Sequence, residues 1–123
     1  MIVRMLLLGG ALLAAAPREV PEGLPGRYRS VLPVDGRPGL EFTVVLDEAG
    51  DYTFDYAYIE WKTRQSERGT YRMEGDTVAC VPSWSDRVIL RFVRTQGALR
   101  MLDGAGGTIE NEFSDTYIFR KQD

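Results

Sequence analysis

Histidine is absent from the 123 residues, and cysteine occurs once, as Cys80. The first absence removes any Ser-His or Cys-His nucleophile pair, any imidazole metal site and the usual proton shuttle near neutral pH. The second removes intrachain disulfides and a thiolate metal cage, so stability must come from core packing. An excess of positive charge is also missing. The formal net charge is -3 and the sequence pI about 5.0, which gives no general attraction to nucleic acid or anionic lipid. A helix long enough to span a bilayer needs ~20 apolar residues, and no run approaches that. What is present is 44% hydrophobic and 27% charged residues, a balance that suits one folded domain.

The chain opens with Arg4, then the apolar run Met5 to Leu13, then Ala14-Ala15-Ala16 and Pro17. Basic, apolar and small regions in that order read as a secretory signal. No cysteine near residue 16 offers a lipid attachment point, and no twin-arginine pattern precedes the run. The expectation is a signal-peptide helix over 1–16, a flexible leader over 17–25 rich in proline and glycine, and a single domain over 26–123. The product is expected to be a periplasmic or secreted monomer without a stable membrane anchor.

From Arg27 onward the chain breaks into short alternating runs separated by turn residues. In Leu40 to Asp47, the residues Leu40, Phe42, Val44 and Leu46 share one face. In Asp51 to Tyr58, so do Tyr52, Phe54, Tyr56 and Tyr58. Alternation with period 2 puts one face of a strand in a core and the other in water. The intervening Asp47-Glu-Ala-Gly50 supplies a turn, which makes the two runs a hairpin. Weaker runs follow the same rule: Tyr28, Ser30, Leu32; Gly69, Tyr71, Met73; Val78, Cys80; Val88, Leu90, Phe92; Ala98 to Leu102; and Tyr117 to Arg120. About eight short strands joined by hairpins predict an all-β, antiparallel up-and-down barrel of lipocalin-like form. Closure removes two exposed edges and an apolar face at once, so it is preferred to a two-sheet sandwich.

The runs Gly26 to Pro33, Pro38 to Leu46, Gly50 to Phe54, Gly69-Thr-Tyr71 with Glu74-Gly-Asp76, Gly97 to Asp103 and Tyr117 to Lys121, taken in order, resemble the N-terminal domain of the copper-resistance lipoprotein NlpE family. That resemblance implies a lipocalin-like barrel in the bacterial envelope, linked to sensing of surface contact, misfolded lipoproteins or copper. The family commonly carries a Cys-x-x-Cys pair in the loop after Leu-Pro. Here that stretch is Val34-Asp35-Gly36-Arg37, without a thiol, so copper binding does not carry over, and neither does a lipid anchor.

Among chemistry-bearing residues, Cys80 falls on the inward register and reads as a small buried hydrophobe. The ladder Tyr52, Phe54, Tyr56, Tyr58 either fills the barrel or lines a cup for an apolar ligand, and filling is favoured because a barrel of about eight strands has little room inside. Ile59 to Arg68 reads as a long charged hairpin connection holding Trp61, and Trp84 sits in a second loop. Exposed tryptophan beside arginine is how protein-binding hot spots are often composed. Trp61, Arg64, Trp84, Tyr56 and Tyr58 are therefore the candidate partner or ligand surface, set against the plainer reading in which each tryptophan caps a barrel end. The acids Glu110, Glu112 and Asp115 lack the spacing of a calcium loop and read as a solvated loop. No cofactor, metal or catalytic residue is expected. The leading reading is a non-enzymatic envelope binding or sensing module. Its alternatives are a carrier of a small apolar ligand and an inhibitor that inserts the 59–68 loop into an envelope hydrolase.

Overall fold

The computed structural model describes residues 20–34, 37–60, 62–111 and 114–122. The signal segment 1–16, Trp61 and Glu112 lie outside these residues. Eight strands follow one another as β1 (Gly26–Val34), β2 (Arg37–Leu46), β3 (Asp51–Tyr58), β4 (Thr63–Glu74), β5 (Thr77–Pro82), β6 (Leu90–Thr95), β7 (Ala98–Met101) and β8 (Ile118–Gln122). Each pairs antiparallel with the next, and β8 returns to β1 through Arg27↔Gln122, Tyr28↔Lys121 and Arg29↔Arg120. The result is a closed barrel in strand order, as the alternation predicts.

The turns follow from backbone freedom. Gly50, Gly75 and Gly97 all take positive φ, at no steric cost for a residue without Cβ, and each sits in a hairpin bend. Asp47 supports the first of these bends, its carboxylate accepting from the amides of Ala49 and Asp51 at 2.9 and 2.8 Å.

Inward residues of all eight strands make one core. Tyr28, Val44, Leu46, Tyr52, Val78 and Leu99 are buried, and four phenylalanines meet across the lumen. Phe119 of β8 lies 5.4 Å from Phe92 of β6, 6.1 Å from Phe42 of β2 and 6.4 Å from Phe54 of β3, ring centre to ring centre. These separations are ordinary for packed aromatic pairs, and they come from opposite walls. The middle of the barrel is filled by its own side chains.

One end of the barrel holds a plug that alternation does not show. Leu24 is 0% exposed, although it lies in the stretch expected to be a flexible leader. The Tyr28 hydroxyl donates to the Leu24 carbonyl at 2.6 Å. Arg94 and Lys121 donate to the carbonyls of Glu22 and Gly23 at 2.9 and 2.7 Å. Proline and glycine mark these residues as irregular, but irregular backbone packs well where side chains from several strands satisfy its carbonyls.

Candidate functional site

The opposite end is built differently, because β4 outruns β5. Strand β4 pairs with β3 continuously from Tyr58↔Thr63 to Asp51↔Thr70, whereas β5 reaches only Gly69–Glu74. The first six residues of β4, Thr63–Arg68, therefore have a strand on one side only. Sequence reading placed them in a connecting loop. The reason is physical: Thr63, Arg64, Gln65, Ser66, Glu67 and Arg68 include no apolar residue, so they show no alternation of hydrophobicity. Register with β3, and not burial, makes them a strand, and Ile59, Glu60 and Lys62 lie in turn conformation before it. Lys62, at φ 55°, is the one non-glycine residue with positive φ among the described residues and completes that turn.

Between the open flank of β4 and the β5–β6 connection lies a cleft of ≈ 620 Å³. Tyr56, Gln65, Glu67, Arg68, Ser83 and Trp84 are among its walls. Trp84 is 68% exposed. The wall is ordered by hydrogen bonds: Tyr56 donates to Gln65 Oε1, Tyr52 to Glu67 Oε2 at 2.8 Å, and Ser66 Oγ to Asp55 on the outer surface. Ser83 N–H donates to the Arg68 carbonyl at 2.9 Å and closes the cleft at its lower end.

The expected surface residues divide accordingly. Tyr56 and Trp84 line the same cleft, and Arg64 stands exposed on the adjoining part of β4, opposite Ala57. Tyr58 sits at the hairpin end, 39% exposed, opposite Thr63. Sequence reasoning missed Glu67 and Gln65, whose inward register becomes visible only once Phe54↔Glu67 and Tyr56↔Gln65 are paired. The acids Glu110 and Asp115 are exposed, and no group of three metal-binding side chains occurs among the described residues.

Cys80 is wholly buried. Burial, with the nearby Glu67 carboxylate adding to it, pushes its thiol up to about 12, so the thiolate that would react or bind metal is suppressed. The stretch 34–37 carries no thiol either, so neither place offers the thiolate pair a soft copper site uses. Burial, with Asp47 next in effect, likewise pushes the Tyr71 phenol up to about 12. Burial and then Glu67 raise Tyr52 further.

For these acids the folded protein holds a proton that the unfolded chain releases first, so stability is full below the unfolded value and falls as pH rises. The ordinary values are 9.0 for Cys80 and 10.0 for Tyr71, which sets the window between pH 9 and about 12. Both groups therefore draw down the barrel's stability, typically about 5–15 kcal/mol for a domain, as pH climbs through this window. The barrel is expected to unfold within this window, with ionisation of the buried Tyr52 and Tyr71 and loss of near-ultraviolet circular dichroism occurring together. Thiol reagents are expected to leave Cys80 untouched at neutral pH until denaturant is added. Ionisation of the buried Tyr52 and Tyr71 well before unfolding, or prompt thiol labelling of the native protein, contradicts this account.

Fold and site together define an eight-stranded antiparallel barrel with a filled lumen and one laterally open end. The family model described as the NlpE N-terminal domain matches residues 28–112. The chain belongs to that family. Among solved structures, NlpE of Escherichia coli, described as the Cpx pathway activator, is 26% identical with a TM-score of 0.60 over 73% of this chain and 48% of its own. The chain thus spans about half the length of that protein. A lipoprotein of Shewanella oneidensis is 22% identical, with a TM-score of 0.63 over 80% of this chain and 88% of its own. The lipoprotein YedD of Klebsiella pneumoniae is 14% identical, at 0.59 over 88% and 79%. These last two show the shared fold. Comparison with curated protein sequences gives no match.

Proposed function

We propose that this chain is a non-enzymatic binding module of the bacterial envelope, exported by the signal segment 1–16, with residues 26–123 forming the working barrel. Its partner is another envelope protein, bound at the laterally open end. The observation that carries the reading is Trp84, a large aromatic left 68% exposed on the rim of a cleft whose other walls are held in place by hydrogen bonds. Rigid exposed aromatics beside arginine are the usual anchors of protein interfaces. Membership in a family that includes the Cpx pathway activator NlpE supports the same reading. The chain contains no histidine and its thiol is buried and protonated, which leaves out an imidazole base and a thiolate nucleophile.

A carrier of small apolar ligands needs an open lumen, and Phe42, Phe54, Phe92 and Phe119 occupy it. An inhibitor acting through a long loop needs residues 59–68 to be free, and most of them belong to β4.

Pull-down from envelope extracts, comparing wild type with Trp84→Ala, tests the proposal. Wild type is expected to retain a specific envelope protein that the variant loses, while both variants melt alike, since an exposed side chain contributes little to folding. Identical retention by both proteins, or no retention by wild type, would count against it.

A further inference from the structure

We propose that the open edge of β4 at Arg64 and Ser66 takes up an extended acidic segment of the partner protein as an added strand, a proposal that rests on the binding-module reading above. Strand addition needs unpaired backbone groups in regular register and enough room beside them. Both are present. Along β4 the residues alternate in which neighbour their backbone groups face. Ser83 N–H meets the Arg68 carbonyl on the β5 side, and Tyr71 N–H meets the Gly50 carbonyl on the β3 side. The β3–β4 register runs unbroken from 63 to 70, so Arg64 and Ser66 share the side of Arg68. Among the described residues, neither Arg64 nor Ser66 has a backbone partner there. Ser66 lines the ≈ 620 Å³ cleft on this side, and Arg64 continues the same edge beside it.

Where β1 likewise outruns its pairing with β8, the opening is covered. The turn Ser114–Tyr117 lies against it, and the Ser30 hydroxyl donates to the Thr116 carbonyl. Among the described residues, the β4 edge has no such cover beyond Ser83 and Trp84.

Charge selects the occupant. The outer row of this edge is Arg64, Ser66, Arg68, and among the described residues no carboxylate pairs with either arginine. Asp55, the outer acid opposite Ser66, accepts from the Ser66 hydroxyl. A second copy pairing antiparallel about Ser66 would set Arg64 directly against the copy's Arg68, a like-charge contact that destabilises sheet pairs. The same arginines therefore deter self-association, as edge charges commonly do, and favour a strand with Asp or Glu at alternate positions. The intervening residues of that strand would face the side of the cleft bearing Tyr56 and Trp84, which suits apolar side chains.

The test uses a blocked peptide alternating glutamate and valine, with its lysine–valine counterpart as control, and follows backbone amide exchange. The acidic peptide is expected to slow exchange at the Arg64 and Ser66 amides, and the basic one is not. Ser66→Pro removes one edge N–H at a position where an edge strand tolerates proline, and is expected to weaken binding by about 10-fold or more. The double variant Arg64→Glu, Arg68→Glu leaves the backbone intact and is expected to reverse the preference, so the test survives if the proline variant does not fold. Protection located elsewhere, equal protection by both peptides, an unreversed preference, or self-association that already protects these amides would overturn the inference. If the envelope pull-down still succeeds with Ser66→Pro, strand addition fails while the binding-module reading stands. If wild type retains no envelope protein, that reading itself fails.

Discussion

Gly69→Ala is expected to lower the unfolding free energy by about 3 kcal/mol, the upper range for overpacking a filled interior, or to prevent folding. A Cβ built at this position would lie 2.1 Å from the Val81 carbonyl oxygen, 2.6 Å from Pro82 Cα and 2.9 Å from Tyr52 Cε1. The first two are backbone atoms of the strand paired with Gly69, so relief requires breaking the β4–β5 ladder at the point where β5 ends. That location makes the glycine structural for the cleft as well. It lets β5 approach closely enough for Ser83 to bond Arg68. Gly104→Ala is the control, because nothing lies within 4 Å of its Cβ position, and its effect is expected to stay within about 0.5 kcal/mol. Urea unfolding followed by circular dichroism measures both. Equal stability of the two variants would show that β4 and β5 are not packed as described.

Phe119→Ala is expected to cost about 3–5 kcal/mol, the range for deleting a buried aromatic ring. Phe119 is 1% exposed and is the ring that Phe42, Phe54 and Phe92 share. It also stands on β8, the short strand that closes the barrel onto β1, so its loss weakens the seam and the centre together. For a domain of this size the midpoint of thermal unfolding falls by roughly 15–30 °C. Scanning calorimetry would record it. A fall of only a few degrees would mean that the lumen is loosely filled, and would restore the carrier reading that the aromatic cluster argues against.

The two predictions differ in how far the residues themselves announce them. Phe119 lies in the apolar run Tyr117-Ile118-Phe119, and Phe42, Phe54 and Phe92 all fall on alternating registers, so an aromatic core was legible. That those rings meet one another, and so leave no cup, depends on which strands face each other across the lumen. Gly69 reads in one dimension as an ordinary strand residue. Its necessity comes from Pro82 and Val81, more than ten residues along the chain. The candidate surface was half legible. Tryptophan and arginine in polar connections pointed to Trp84 and Arg64, but Thr63–Arg68 appeared as loop. A strand end exposed on both faces carries no hydrophobic period, and its strand character comes from hydrogen bonding to β3.

The sequence by itself determined an all-β, antiparallel up-and-down barrel of about eight strands. Alternating faces and glycine-bearing bends are local properties, written within a few residues and fixed by the reach of one backbone. It also determined the missing chemistry, since residue types that are absent cannot be supplied by folding. Tertiary structure alone decided which residues pair along the closing β1–β8 seam, the burial of Leu24 as a plug, which rings meet in the lumen, and the open edge left where β4 outruns β5. Each of those depends on lengths and volumes contributed by segments far apart in the chain, which no local pattern encodes.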